Sequence, residues 1–574
     1  MLENVKLRTI TKTCLRDKLL MATALAVLPM ALVSVPAYAW KPNTHVFLAE
    51  EVLKDAIDDG KVSIYRTDYE NSGILDKVGD YEVDPELLNA LRSHPQQYRA
   101  GVLGPDAYPD ILTGQQVIHP DNSEFGGSIT NSWLKYLWNL TSTPDNNTPQ
   151  IKAFVAGYLT HAAGDMYGHT FVNNFTGEAF TFEPPTNAIK HIVLEGYVGK
   201  RTPLIVSSNN QFVTENDVSI DGVEDFIYRN MVDAKPGSPL DQSLLVGNTA
   251  QSSVPRIYST LRAGLQRDID AYYAKKADYD RRLDEKIKAA SACRVLDFSC
   301  SKTALNAQAV AIQAEKAAYV AANGLQVTYK EYWVDDIDSG LRAWPRVSHE
   351  LGLALIFNTR PEGADTESAK EIAQKYVYDH LLSMSGAPDA LGATLSFIDS
   401  VKAAILPNVL VEAIEQMKQD LLNYLLQEAF GLTVEQIKEY LNSPERYFDL
   451  VLNSGEPGES TNLQTFNTQE LKISDTGYSN PDEKFDYQKI PAAYNTVTMT
   501  KLLLLNQSGM NLLLRDLGSQ LSLNEPNAML GFIKTLDGDN EWHINQQKMI
   551  LAQDCNAYKK VFMRQTGETG GCAS

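Results

Sequence analysis

The chain has 574 residues, 44% hydrophobic and 21% charged, a balance that excludes wholesale disorder and collagen-like repetition. Its net charge of −21 comes from 51 Lys and Arg against 72 Asp and Glu; it repels phosphate backbones at long range and argues against a nucleic-acid partner. Five cysteines are too few for a disulfide scaffold of this length.

The first segment is read as a targeting signal. Lys6, Arg8, Lys12, Arg16 and Lys18 form a basic region, followed by an apolar stretch from Leu19 to Val35 and the small-residue pattern Ala37-Tyr38-Ala39. Residues 1–39 are therefore expected to be a secretory signal peptide, cleaved near Ala39 to leave Trp40 as the new terminus. An uncleaved anchor is the alternative, but the apolar stretch is short for a membrane span. The protein is expected to be exported, periplasmic or secreted. In that setting the remaining cysteines pair locally, Cys293 with Cys300 and Cys555 with Cys572.

Along the chain, apolar spacing predicts a helix from Thr44 to Ala56, a loop at Gly101 to Gly114, and a helix opened by Pro149 and running to about His169. Another helix is expected from about Asn187 to Val198, then a polar irregular stretch from Ser207 to Ser243. A long charged helix from near Pro255 to Ser291 and an Ala-rich one from Thr303 to Asn323 read as a helical hairpin closed by Cys293 and Cys300. Its charged face suits a solvated arm, with partner docking as the alternative. Segments 367–385, 387–428 and 433–453 read as helices, 455–489 as a linker or long loop, and 490–574 as a region of unknown role. The expected fold class is mainly α, with an inserted helical hairpin and a largely helical C-terminal half.

The chemistry is concentrated between Trp40 and Glu195. His161, Asp165 and His169 stand four apart, so at about 100° per residue they share about 80° of one helix face. The segment around them is apolar, so the triad points inward, where a divalent metal gives buried imidazoles and a carboxylate a partner. His191 and Glu195 repeat the spacing of four on a second helix. Asp106, in Gly101-Val-Leu-Gly-Pro-Asp106, is followed by His119, and His45 lies close to Trp40. Each fragment alone is weak, and a scatter of satisfied core and surface groups is the bland alternative. Together they exceed the needs of one tetrahedral zinc and suit a cluster of two or three ions.

In this order the residues resemble the zinc-dependent phospholipase C superfamily. The region Tyr98 to Asp110 and the string Phe154 to His169 look most like the amino-terminal domain of glycosylphosphatidylinositol-specific phospholipase D. The resemblance covers about residues 40–200. It implies a phospholipase C-like catalytic core at 40–255, the hairpin insertion at 256–330 and a helical continuation at 331–454. It also implies one zinc between Asp106, His119, His161 and Asp165, and a second on His169, His191 and Glu195. A third would lie on the amine and carbonyl of Trp40 with His45, sharing Asp165. The step from Asp165 to His169 is four residues, as in the phospholipase D relative, where secreted phospholipases C have six. Asp110 rivals Asp106 as the loop carboxylate, and the β-sandwich that follows some phospholipases C is not evident.

The resemblance implies a phospholipase that hydrolyses phospholipid or glycolipid head groups at a membrane surface, with Asp106 as the catalytic carboxylate. Two other classes fit parts of the pattern. The short Trp40–His45 spacing is that of single-strand zinc nucleases and nucleotidases, whose second pair is His-x-x-x-Asp rather than His191 and Glu195. A metal-stabilised exported binding protein would use the hairpin and C-terminal half for partners. His94, His349, His380 and His543 have no partner at ligand spacing and read as ordinary residues.

Overall fold

The computed structural model describes residues 40–68, 73–108, 128–176, 186–239, 254–294, 300–357, 463–474 and 483–532, apart from positions 234, 236, 526 and 530. The predicted signal peptide, His119, Asp110, Cys555 with Cys572, and the helices expected between 367 and 453 lie outside them. The described chain is mainly α, with one two-stranded sheet. None of its helices is long and apolar enough to cross a membrane.

Helix α1, Pro42–Asp59, begins where Pro42 needs no intrahelical N–H partner and ends where Gly60 turns left-handed at φ 85°. Strands β1, Lys61–Asp68, and β2, Gly73–Glu82, follow as an antiparallel hairpin pairing Lys61 with Glu82. Val62, Ile64, Val78 and Tyr81 are its buried residues. Helix α2, Pro85–Ser93, is capped by the Asp84 carboxylate, which accepts from the N–H groups of Glu86 and Leu87.

Helix α3, Pro95–Ala107, takes in residues 101–107 of the loop expected from Gly101 to Gly114, whose residues 109–114 lie outside the described residues. Gly101, one of the glycines that suggested a loop, serves helix packing instead. Gly101 and Gly157 face each other where α3 crosses α5, Pro149–Thr176, and a side chain at either would meet the backbone of the other helix. The helix does break at Gly104, whose φ of 28° and ψ of −119° are non-helical, one turn into the expected loop. Helix α4, Ser128–Leu140, precedes α5, and α6, Thr186–Arg201, follows it.

Helices α7, Val254–Ala292, and α8, Lys302–Phe357, are the two arms of the hairpin, joined by the Cys293–Cys300 disulfide. Residues 257–343 form a compact unit of their own. Within it Tyr272 stacks on Tyr319, and Arg262 makes a two-pronged contact with Asp338 at 2.8 and 3.0 Å. The second arm runs well beyond the expected Asn323.

The other unit holds the remaining elements, including the last turns of α8. Helix α9, Pro491–Leu503, packs along α5 and α1, and α10, Gln507–Gln520, covers β2. Lys501 reaches from α9 to Asp55 at 2.8 Å and to the Ser63 carbonyl at 3.2 Å. The described parts of the stretch expected as a linker or long loop carry buried Leu463, Phe466, Leu471 and Phe485. Phe466 lies among Phe171, Phe175 and Tyr197, and the Phe485 N–H donates to the Arg201 carbonyl.

A candidate metal centre

Helix α5 is the spine of the site. Its spacing of four places His161, Asp165 and His169 on one face, and all three are buried. Asp165 is the hub. Its Oδ1 lies 3.2 Å from His45 Nε2 on α1, its Oδ2 lies 3.1 Å from His161 Nε2, and its Oδ1 is 3.9 Å from His169 Nε2. Ligand atoms of His45, His161 and Asp165 all lie within 4.8 Å of one another, and this buried group can hold a metal ion.

Two details of the packing aim these rings. His161 Nδ1 donates to the Val102 carbonyl at 2.7 Å, which turns Nε2 toward Asp165 and Asp106, where it would be the ligating nitrogen once deprotonated. His45 stacks on His161 with ring centroids 3.8 Å apart. That approach needs Gly164, because a Cβ there would fall 2.6 Å from His45 Nδ1.

Asp106, in the last turn of α3 beyond the Gly104 break, is fully buried with Oδ1 3.8 Å from His161 Nε2. On α6, His191 Nε2 and Glu195 Oε1 are 2.7 Å apart, and the His191 ring lies 5.3 Å from that of His169. Trp40 is buried with its ring 5.6 Å from Phe171. Among the described residues, seven of the ligand candidates, from His45 to Glu195, thus form one connected buried set.

Burial is the leading influence on the electrostatics of that set. Burial, reinforced by Asp165 and Glu195, pushes the Asp106 carboxyl well above the usual range. Glu195 is raised by burial and by Asp165, against the pull of Lys41. Burial alone would lower His161, but Asp165 and Asp106 outweigh it and take it to about 9. His191 is lowered to about 3, first by burial and then by Lys41. Removing carboxylates from water without a compensating cation is costly, and imidazole with carboxylate is the donor set of zinc and other first-row divalent metals. The residues fit such an ion.

Some contributors were not apparent from the sequence. Lys41 lies against Gly199 and close enough to Glu195 and Asp106 for their charges to act on it; its place directly after Trp40 was the only signal. His349, expected to be ordinary, is buried and hydrogen-bonded through Nδ1 to the Tyr108 hydroxyl at 3.2 Å. Nothing in local spacing marks that contact, because it joins the end of α8 to the end of α3.

No family model matches the chain, and no curated protein or solved structure is significantly similar to it.

Proposed function

We propose that the chain is an exported phosphodiesterase that uses zinc, as two or three ions, to hydrolyse phospholipid or glycolipid head groups. The observation that carries this is the Asp165 carboxylate, set with one oxygen near His45 and the other near His161. A buried carboxylate so placed would suit metal ligation, and the likeness of the ligand order to zinc-dependent phospholipases C supports the substrate class.

The residues that would hold the ions are Asp106, His119, His161 and Asp165 for one, His169, His191 and Glu195 for a second, and Trp40 with His45 and Asp165 for a third. When bound, zinc supplies Lewis acidity, which polarises a phosphoryl oxygen and makes water acidic enough to react near neutral pH. The protein's own part is to orient and to move protons. The Val102 carbonyl fixes the orientation of the His161 ring, and Gly164 admits the His45 ring. Asp106 is held in a buried position with Oδ1 3.8 Å from His161 Nε2, which would suit it to orient attacking water and take its proton. These side chains are buried, so their charges act at a lower effective dielectric than at the surface.

The test is hydrolysis of phosphatidylcholine vesicles by the full chain before chelation, after chelation and after zinc is restored, with metal content measured in parallel. Activity that follows zinc content is expected. Activity indifferent to chelation overturns the mechanism. Nucleotide release from single-stranded DNA with no release from lipid transfers the site to the nuclease class, which the short Trp40–His45 spacing favours.

A further inference from the structure

Helix α3 leaves helical geometry at Gly104, and Asp106 lies two residues past that break. Past the break the Tyr108 N–H donates to the Gly104 carbonyl at 2.7 Å. The far end of the segment, whose Tyr108 hydroxyl meets His349, is also held by Tyr158, on α5 just before His161. Its hydroxyl donates to the Tyr108 carbonyl at 3.1 Å and accepts from the Trp133 indole N–H at 3.0 Å. The chain of donors is unambiguous, because an indole N–H can only donate and a carbonyl can only accept. Burial, with the negative charge of Asp165 and Asp106, keeps the hydroxyl protonated and therefore able to donate.

We propose that Tyr158 is a positioning residue for Asp106, holding that carboxylate against His161 and Asp165 through the Tyr108 carbonyl. Tyr158 and the two α5 ligands stand on the same helix, so the bond sets the end of α3 directly against the helix that carries His161 and Asp165. The Trp133 N–H brings in α4 as a third support and keeps the hydroxyl proton directed at Tyr108. The role rests on the metal-centre reading above. A merely structural bond would affect folding stability and leave the metal environment unchanged, since Tyr158 is not itself among the ligand candidates.

The decisive variant is Tyr158→Phe in the full chain, which keeps the ring and removes both hydrogen bonds. Metal-stripped protein is titrated with Co(II) against a competing chelator, and the visible absorption of the bound ion is recorded with the thermal midpoint. Loss of an outer-shell support weakens metal binding by about 10–100-fold in comparable sites. Tyr158→Phe is expected to bind Co(II) more weakly within that range and with an altered visible spectrum. A folded Tyr158→Phe with wild-type affinity and spectrum overturns the positioning role alone. Wild-type protein that takes up no Co(II) overturns the metal centre and this role with it. If Tyr158→Phe does not fold, Trp133→Phe decides the matter. It leaves the hydroxyl but not its directing N–H, and is expected to shift the spectrum in the same sense. An unchanged Trp133→Phe spectrum overturns the role.

Discussion

His45 Nε2 stands 3.2 Å from Asp165 Oδ1, although the two residues come from different helices, α1 and α5. The contact joins the start of the described chain to the central ligand helix, and the rest of the candidate centre is arranged around it. Its consequence is that Asp165 serves more than one neighbour at once.

Asp165→Asn therefore tests the centre most directly. The amide keeps the shape but loses the charge and one acceptor oxygen. Metal affinity is expected to fall by more than the about 10–100-fold caused by losing an outer partner. Metal content after dialysis is the measurement, and a wild-type stoichiometry would contradict Asp165 as a ligand.

Gly164→Ala discriminates by sign. In an ordinary helix interior, exchanging Gly for Ala stabilises by about 0.5–1 kcal/mol. Here the new methyl would lie 2.6 Å from His45 Nδ1 and 2.8 Å from its Cε1, so the ring must move or the helices must part. The expected result is destabilisation of about 1–3 kcal/mol, as for an overpacked core, with weaker metal binding. Denaturant unfolding reads it, and a more stable variant would show that the ring has room.

The pH dependence of stability has a clean probe in His349, which lies outside the ligand set. Burial first, and then Arg346, lower its pKa from 6.5 to about 4. The unfolded chain thus binds the proton before the native state does. The stability this group contributes is present in full above about pH 6.5 and is lost as pH falls toward about 4. At about 1.4 kcal/mol per pH unit the loss is at most about 3 kcal/mol. Compared in the presence of chelator at pH 7 and pH 4.5, His349→Gln should lose correspondingly less stability than the wild type. Equal losses in the two proteins would show that His349 is not held neutral.

Glu50 and Arg99 form a buried ion pair between α1 and α3, with Nε–Oε2 at 2.8 Å and Nη2–Oε1 at 3.0 Å. Arg99 also donates to the Asp217 carbonyl at 3.0 Å. Arg99→Ala leaves the Glu50 charge buried alone and is expected to cost about 3–5 kcal/mol. Adding Glu50→Gln to Arg99→Ala should recover part of that cost, because the stranded charge is gone. Thermal unfolding of the single and double variants checks this. A double variant no better than the single would mean that water reaches Glu50.

Much of the helical plan was legible in the sequence. The helix over Thr44 to Ala56 lies inside α1, and those expected from Pro149 and Asn187 lie inside α5 and α6. The hairpin and its Cys293–Cys300 closure were also apparent, because both follow from local periodicity and short chain separation. The β1–β2 hairpin and α2 were not anticipated, and the glycines of α3 pointed to a loop. Gly101 is helical because another helix backbone passes beside it, which no local rule reports.

By itself the sequence determined that His161, Asp165 and His169 share a face, as do His191 and Glu195. Spacing of four on a 3.6-residue helix leaves no other arrangement. Only the tertiary structure decided that His45 and Asp106 meet that face, that α9 from the distant C-terminal region packs along α5, and that Tyr158 braces the Asp106 segment. Those relations depend on helices far apart in sequence finding one buried arrangement, set by backbone approach at small residues and by hydrogen bonds between elements. Periodicity along one segment carries no information about either.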